Sequence, residues 1–253
     1  MENCFVNQFK GITNNDSLVK FNCVRIKVYP RTDNLLASFR IQAPVGTKLF
    51  IEDDADGYFT DSEGTQTQTP KLHVISNGAD YESIYCHPGD YYVFIDNKYN
   101  IEKLTGRMNN SESSPKFIGI NLGEFDYCTN LSVLTPNGMN YSSGSIDSLT
   151  RLTKLENIIL GTASYSNDKI SGSINTMVEG MIANGRTSGT ITGRCYSTSS
   201  KVNIQVEGAY VGGGQWTVTI TSATQYSVAT RDRGTFNYQK VDGEWVLVEN
   251  ANS

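Results

Sequence analysis

Histidine is almost missing from this sequence: His73 and His87 are the only two in 253 residues. That scarcity leaves little material for a histidine-based metal centre or a nucleophile–base pair. Cysteine is also sparse. The five (Cys4, Cys23, Cys86, Cys128, Cys195) are odd in number, scattered and never spaced CxxC, which argues against a structural zinc site. Clusters of one charge sign are lacking on the basic side. With a formal net charge of -5 and a pI near 5.1, a broad phosphate-binding surface is not expected. No apolar run approaches the length of a membrane span. The motifs GxSxG, GxxxxGK[ST] and HExxH are absent. The opening "MENCFVNQFKGITNND" has no basic stretch leading into an apolar core, so the reading expects no signal peptide and reduced, mostly buried thiols. On that expectation the sequons at Asn15, Asn109, Asn130 and Asn140 carry no meaning.

Hydrophobic residues make up 38% of the chain and the mean hydropathy is -0.36, the balance of a folded chain with a polar surface. Glycine is plentiful (23) and proline is not (6), a composition that points to many turns between short strands.

Residues 1–17 read as an arm. Phe5, Val6, Phe9 and Ile12 keep no clean period, so the arm either packs on its own domain or anchors a partner. From 18 to 105 the pattern is β. "CVRIKVY" sets Val24, Ile26 and Val28 against Arg25 and Lys27, and "SFRIQA", "TKLFIE", "KLHVIS", "ESIYCH" and "DYYVFID" follow between turn signals. Strands of that length and spacing predict an antiparallel β-sandwich. A polar stretch at 106–116 reads as a linker.

Over 117–200 a repeat appears. "SSGSIDSLTRL" recurs as "ISGSINTMVEGM", so that Gly144, Ser145 and Ile146 correspond to Gly172, Ser173 and Ile174. Between them "LTRLTKLENIIL" carries Leu149, Leu152, Leu155, Ile158 and Leu160, and "CTNLSVL" precedes it in a comparable phase. This is leucine-rich-repeat spacing: each unit has one apolar strand and one short helix, and only stacking buries them. Residues 201–253 return to strands and read as hairpins that cap the repeats. One would set Val202, Ile204 and Val206 against Trp216, Val218 and Ile220 across Gly212-Gly213-Gly214, and the other turns at Asp242-Gly243. The predicted fold class is therefore mainly β: an N-terminal antiparallel sandwich, a short leucine-rich-repeat-like α/β segment and a C-terminal β closure.

One stretch hints at an ion. "EDDADGYFTDSE", from Glu52 to Glu63, nearly fits a calcium-loop spacing, and Asp53, Asp54, Asp56 and Glu63 would be its carboxylate donors. Both flanks read as strands rather than helices, and Glu52 stands where aspartate would reach. A solvated acidic loop is the reading adopted, with no metal and no cofactor assigned. Cys86 and His87 are adjacent, so on a strand they face opposite ways and make a poor dyad. Gly212–Gly214 lacks a following helix and lysine, so it reads as a turn rather than a phosphate loop. In "DYYVFIDNKY" the alternate residues (Tyr91, Val93 and Ile95, or Tyr92 and Phe94) are read as core rather than as a sugar platform. No catalytic residue is assigned.

The lead-in "FKGITNNDSLVKFNCVRIKVY" resembles the opening of a β module in structural and fibre proteins of phages of gut Bacteroidales, including crAss-like phages. The "GSI..L" repeat with "LTKLENI" is similar to the degenerate leucine-rich repeats of such proteins. The resemblance implies a non-enzymatic virion protein, a head fibre or tail-associated decoration made in the host cytoplasm. It implies a homo-oligomer, dimer or trimer, attached to other virion proteins through the arm, with a host-surface glycan or protein as a further partner and no nucleic acid or membrane insertion. Two alternatives stand beside it: a Bacteroidetes cell-surface adhesin and a glycan-degrading fibre enzyme.

Overall fold

The structure is a computed structural model that describes residues 22–31, 35–106, 117–161, 167–196 and 200–251. The arm read at 1–17, and the linker read at 106–116 except for Gly106, lie outside the described residues. The protein is mainly β, with 46% of residues in strands and 11% in helices.

Eight strands come first, and in the first and third of them alternating sequence becomes alternating burial. They are β1 (Val24–Val28), β2 (Ala37–Gln42), β3 (Lys48–Ile51), β4 (Phe59–Thr60), β5 (Leu72–Val74), β6 (Glu82–Cys86), β7 (Tyr91–Ile95) and β8 (Lys103–Thr105). In β1, Val24, Ile26 and Val28 are buried while Arg25 and Lys27 are half-buried. β1 pairs with β7, β7 with β3 and β3 with β5; β2 pairs with β6 and β8, and β6 with β4, all antiparallel. The two layers share one core, in which Ile26, Leu49 and Val93 belong to one and Phe39, Ile41 and Ile84 to the other. Tyr91, Val93 and Ile95 are all in that core. Phe94 is buried as well, on the other face of its sheet, where it joins Cys23 and stacks on Phe50 with ring centroids 5.1 Å apart.

The next strands form stacked coils. They are β9 (Ile118–Ile120), β10 (Val133–Thr135), β11 (Ser143–Ser145), β12 (Asn157–Leu160), β13 (Lys169–Ser173), β14 (Gly189–Cys195), β15 (Val202–Val206) and β16 (Ala209–Tyr210), with one α-helix, α1 (Ile174–Ala183). β8, β10, β12 and β14 run parallel in one sheet, and β11, β13 and β15 run parallel in another. Helical segments follow β9, β11 and β13: Leu122–Phe125, Ile146–Leu149 and α1. The repeated leucines and isoleucines, including Leu122, Leu134, Ile146, Leu149, Leu155, Ile158 and Ile174, are fully buried between coils.

The repeated Gly-Ser-Ile has a mechanical reason. Ser145 and Ser173 are helix N-caps whose hydroxyls accept from Asp147 N and Thr176 N. The glycine before each serine has positive φ and lies against the cap of the preceding coil. A β-carbon on Gly144 would meet Asn121 Oδ1 at 2.8 Å, and one on Gly172 would meet Ser145 Oγ at 2.5 Å. Asp147 Oδ1 then accepts from Ser173 N at 2.7 Å, which fixes one coil to the next.

Four long antiparallel strands complete the chain: β17 (Gln215–Ser222), β18 (Gln225–Thr230), β19 (Gly234–Val241) and β20 (Glu244–Ala251). β17 pairs with β14, so the parallel stack continues into an antiparallel meander. The long sheet has eleven strands in the order β20-β19-β18-β17-β14-β12-β10-β8-β2-β6-β4, and β9 adds to the five-stranded sheet beside β1. The hairpin expected between 202–206 and 216–220 is not formed. Glu207 and Gly208, both at positive φ, turn the chain after β15 into the short β16 instead. The chain then crosses to the other sheet, so Val206 and Trp216 lie in different sheets. The turn at Asp242-Gly243 forms as read, with φ of 52° and 92°.

Candidate functional site

The acidic loop carries its own cation. Lys71 Nζ donates to the carbonyl oxygens of Ala55 and, at 2.7 Å, of Gly57, so an ammonium occupies the inside of the turn. Asp61 Oδ1 accepts from Glu63 N and Thr65 N, both at 2.9 Å, a local turn rather than a ligand set. Glu52 has its pKa raised by burial and by Asp54. Among the described residues no three His, Cys, Asp or Glu side chains are grouped to hold a metal ion.

The two histidines go to packing. His73 Nε2 and Glu82 Oε1 lie 2.6 Å apart, and Glu82 Oε2 accepts from Ser76 N and Asn77 N, which ties β6 to the turn after β5. His87 is exposed and stacks on Tyr58, centroids 4.6 Å apart. Cys86 is buried and its thiol is pushed up to about 12 by burial. Cys23 and Cys128 are likewise raised to about 12, and Cys195 to about 11, with burial the largest cause in each. Such thiols stay protonated at neutral pH, and a thiol is a poor nucleophile. Tyr91 packs between two glycines: β-carbons on Gly57 and Gly89 would come within 2.3 Å and 2.8 Å of its ring. Its hydroxyl donates to His87 O at 2.5 Å. Gly212 turns at φ 81° beside Asp232 on the way from β16 to β17.

What the sequence reading did not single out is the free edge of the long sheet. The β19–β20 hairpin is held at Tyr238 and Trp245. Tyr226 and Tyr238 stack with centroids 4.5 Å apart, and Trp245 meets Tyr226 edge-on at 4.9 Å. Tyr226 Oη donates to Glu179 Oε1 on α1 at 2.8 Å, and Tyr238 Oη to Glu207 Oε1 at 2.8 Å. Burial raises the pKa of Glu179, with the Tyr226 hydrogen bond opposing it.

Other apolar side chains of the hairpin face solvent. Val241 is 46% exposed, Val246 43%, Leu247 40% and Val248 54%. Among the described residues β20 pairs only with β19, and its far side presents a row of backbone donors and acceptors. The register shifts between Asn237 and Tyr238, which leaves Val248 without an opposite residue. The opposite edge of the same sheet, β4, has only two residues. β20 has eight, with neither proline nor lysine among them. It therefore lacks the short length, the proline and the lysine that guard many exposed edges. A signal existed in the sequence. Val246-Leu247-Val248 breaks the two-residue alternation, so apolar groups must project on both faces.

Compared with family models, with curated proteins and with solved structures, the chain matches none. Among the described residues no helix is long and apolar enough to cross a membrane.

Proposed function

We propose that this chain is a non-enzymatic structural protein that works by self-association, two copies pairing β20 against β20 antiparallel about a two-fold axis. The observation that carries the reading is the eight-residue β20 edge with Val246, Leu247 and Val248 exposed on it. An isologous contact brings Val246, Leu247 and Val248 of one copy beside those of the other. Each is already about half covered, so completing its burial contributes at most roughly 1 kcal/mol, and six such side chains give at most about 6 kcal/mol. Association costs about 4–15 kcal/mol in lost freedom, so the added backbone hydrogen bonds decide the outcome. The pairing is therefore concentration-dependent, and attachment to a larger particle would strengthen it through multivalency. The resemblance to phage structural proteins supplies the setting, a virion component. The raised thiols and the packing roles of His73 and His87 support a non-enzymatic reading.

Light scattering behind size exclusion tests the pairing. The native chain is expected to run as a dimer at high concentration. The double variant Val246→Lys/Val248→Lys is expected to run as a monomer, while Val45→Lys, at a site 68% exposed elsewhere, keeps the native mass. Equal masses for the native chain and the double variant would remove β20 as the contact.

A further inference from the structure

A groove opens where β1 ends and β11, β13 and β15 begin. Its lining includes Tyr29, Tyr141, Ser143, Asn167, Lys169 and Lys201. These residues are far apart in sequence and are brought together by the coil stack. Ser143 lies opposite Lys169 in the parallel ladder, and Ile170 opposite Val202, so Ser143, Lys169 and Lys201 take neighbouring positions at the strand starts. Tyr29 and Tyr141 stack with centroids 4.1 Å apart and planes at 21°. Phe117 leans on Tyr141 at 5.9 Å, and Arg31 lies 4.2 Å over Phe117. The close seat of Tyr141 depends on Gly119, where a β-carbon would fall 2.2 Å from Tyr141 O.

Among the described residues that line the groove the one carboxylate is Asp168, which is 2% exposed and whose Oδ1 accepts from Ser142 N at 2.8 Å. Asp90, outside the lining, pairs with Lys27 at 2.6 Å. Lys169 is exposed and Lys201 half-buried, so the opening presents two ammonium groups. Burial raises the pKa of Tyr29, with Tyr92, Tyr141 and Asp90 adding to it, so its phenol stays an O–H donor. The Tyr29–Tyr141 pair adds a flat apolar body beside these donors. A pyranose has the matching form, an apolar C–H face and a rim of hydroxyls, and a carboxylate on it answers the two lysines.

We propose that this groove binds an acidic saccharide, with a sugar ring against the Tyr29–Tyr141 pair and its carboxylate toward Lys169 and Lys201. The proposal stands on the groove alone and does not depend on pairing through β20.

An array of galacturonate, glucuronate and sialate oligomers, printed beside neutral oligomers of glucose and galactose, identifies the ligand. Calorimetry with the retained acidic oligomer then tests the residues. Native chain is expected to retain at least one acidic oligomer and to bind its neutral counterpart more weakly. Lys169→Glu/Lys201→Glu should weaken acidic binding by about tenfold or more, as two exposed charge pairs are lost and reversed. Tyr29→Leu should weaken it while leaving the preference for acid over neutral. Retention of no acidic oligomer, equal retention of both kinds, or a double lysine variant that binds like the native chain would overturn the proposal.

Discussion

Gly193 on β14 lies directly under the indole of Trp216 on β17, its partner across the strand pair. A β-carbon on Gly193 would come within 2.0 Å of the ring. This contact joins the last parallel strand to the first strand of the antiparallel meander, and Trp216 is 1% exposed. Gly193→Ala has no room to relax without moving the indole. It should destabilise the protein by about 1–3 kcal/mol, the range for overpacking a filled core. The urea midpoint measures this, and an unchanged midpoint would mean that the indole is not held where the fold requires it.

Much of the fold was legible because local rules and global packing agree. In β1 the alternation of Val24, Ile26 and Val28 was enough. In the coils the repeated Gly144-Ser145-Ile146 and Gly172-Ser173-Ile174 marked the start of two of the three helical segments described. The partner of β15 was not legible. Val202, Ile204 and Val206 fit a hairpin with Trp216 as well as a parallel ladder with β13, and only Glu207-Gly208 turning so soon after β15 decides between them. Periodicity fixes which face of a strand is apolar, not which strand lies beside it. The groove was hidden for a different reason: Tyr29 and Tyr141 meet only through the tertiary fold.

The acidic loop should be indifferent to calcium, because Lys71 already sits on the carbonyls of Ala55 and Gly57. Thermal unfolding of the native chain is expected at the same temperature in calcium and in excess chelator. Lys71→Met should lower stability by about 1–3 kcal/mol, the effect of stripping partners from two carbonyls. A rise in the native unfolding temperature with calcium would show that an ion displaces the lysine.

Acid should weaken the β5–β6 region first. Burial of Glu82 favours its neutral form, but hydrogen bonds from Ser76 N, Asn77 N and His73 outweigh burial, so its pKa lies below the ordinary 4.5. A carboxylate with a depressed folded pKa contributes stability that is present above its unfolded pKa and lost as pH falls through the folded one. The urea midpoint of the native chain should therefore hold down to about pH 5 and fall below it. Glu82→Gln should be less stable at neutral pH and flatter across the acid range. Parallel profiles for the two proteins would contradict this assignment.

The four described cysteines are buried, and their thiols are raised to about 11 or 12. In a Cys4→Ser background, a thiol reagent should label none of them until denaturant is added. Rapid labelling of the folded protein would show that one of these sites opens without global unfolding.

The pairing of β20 is tested most directly at its own backbone amides. Hydrogen exchange of the segment 244–251, followed by mass spectrometry, should slow markedly as protein concentration rises, because the outward N–H groups gain partners from a second copy. Exchange elsewhere in β17 and β18 should not change, and the Val246→Lys/Val248→Lys variant should lose the concentration dependence. Exchange of 244–251 at the same rate at low and high concentration would contradict the account, leaving β20 an edge that meets only water.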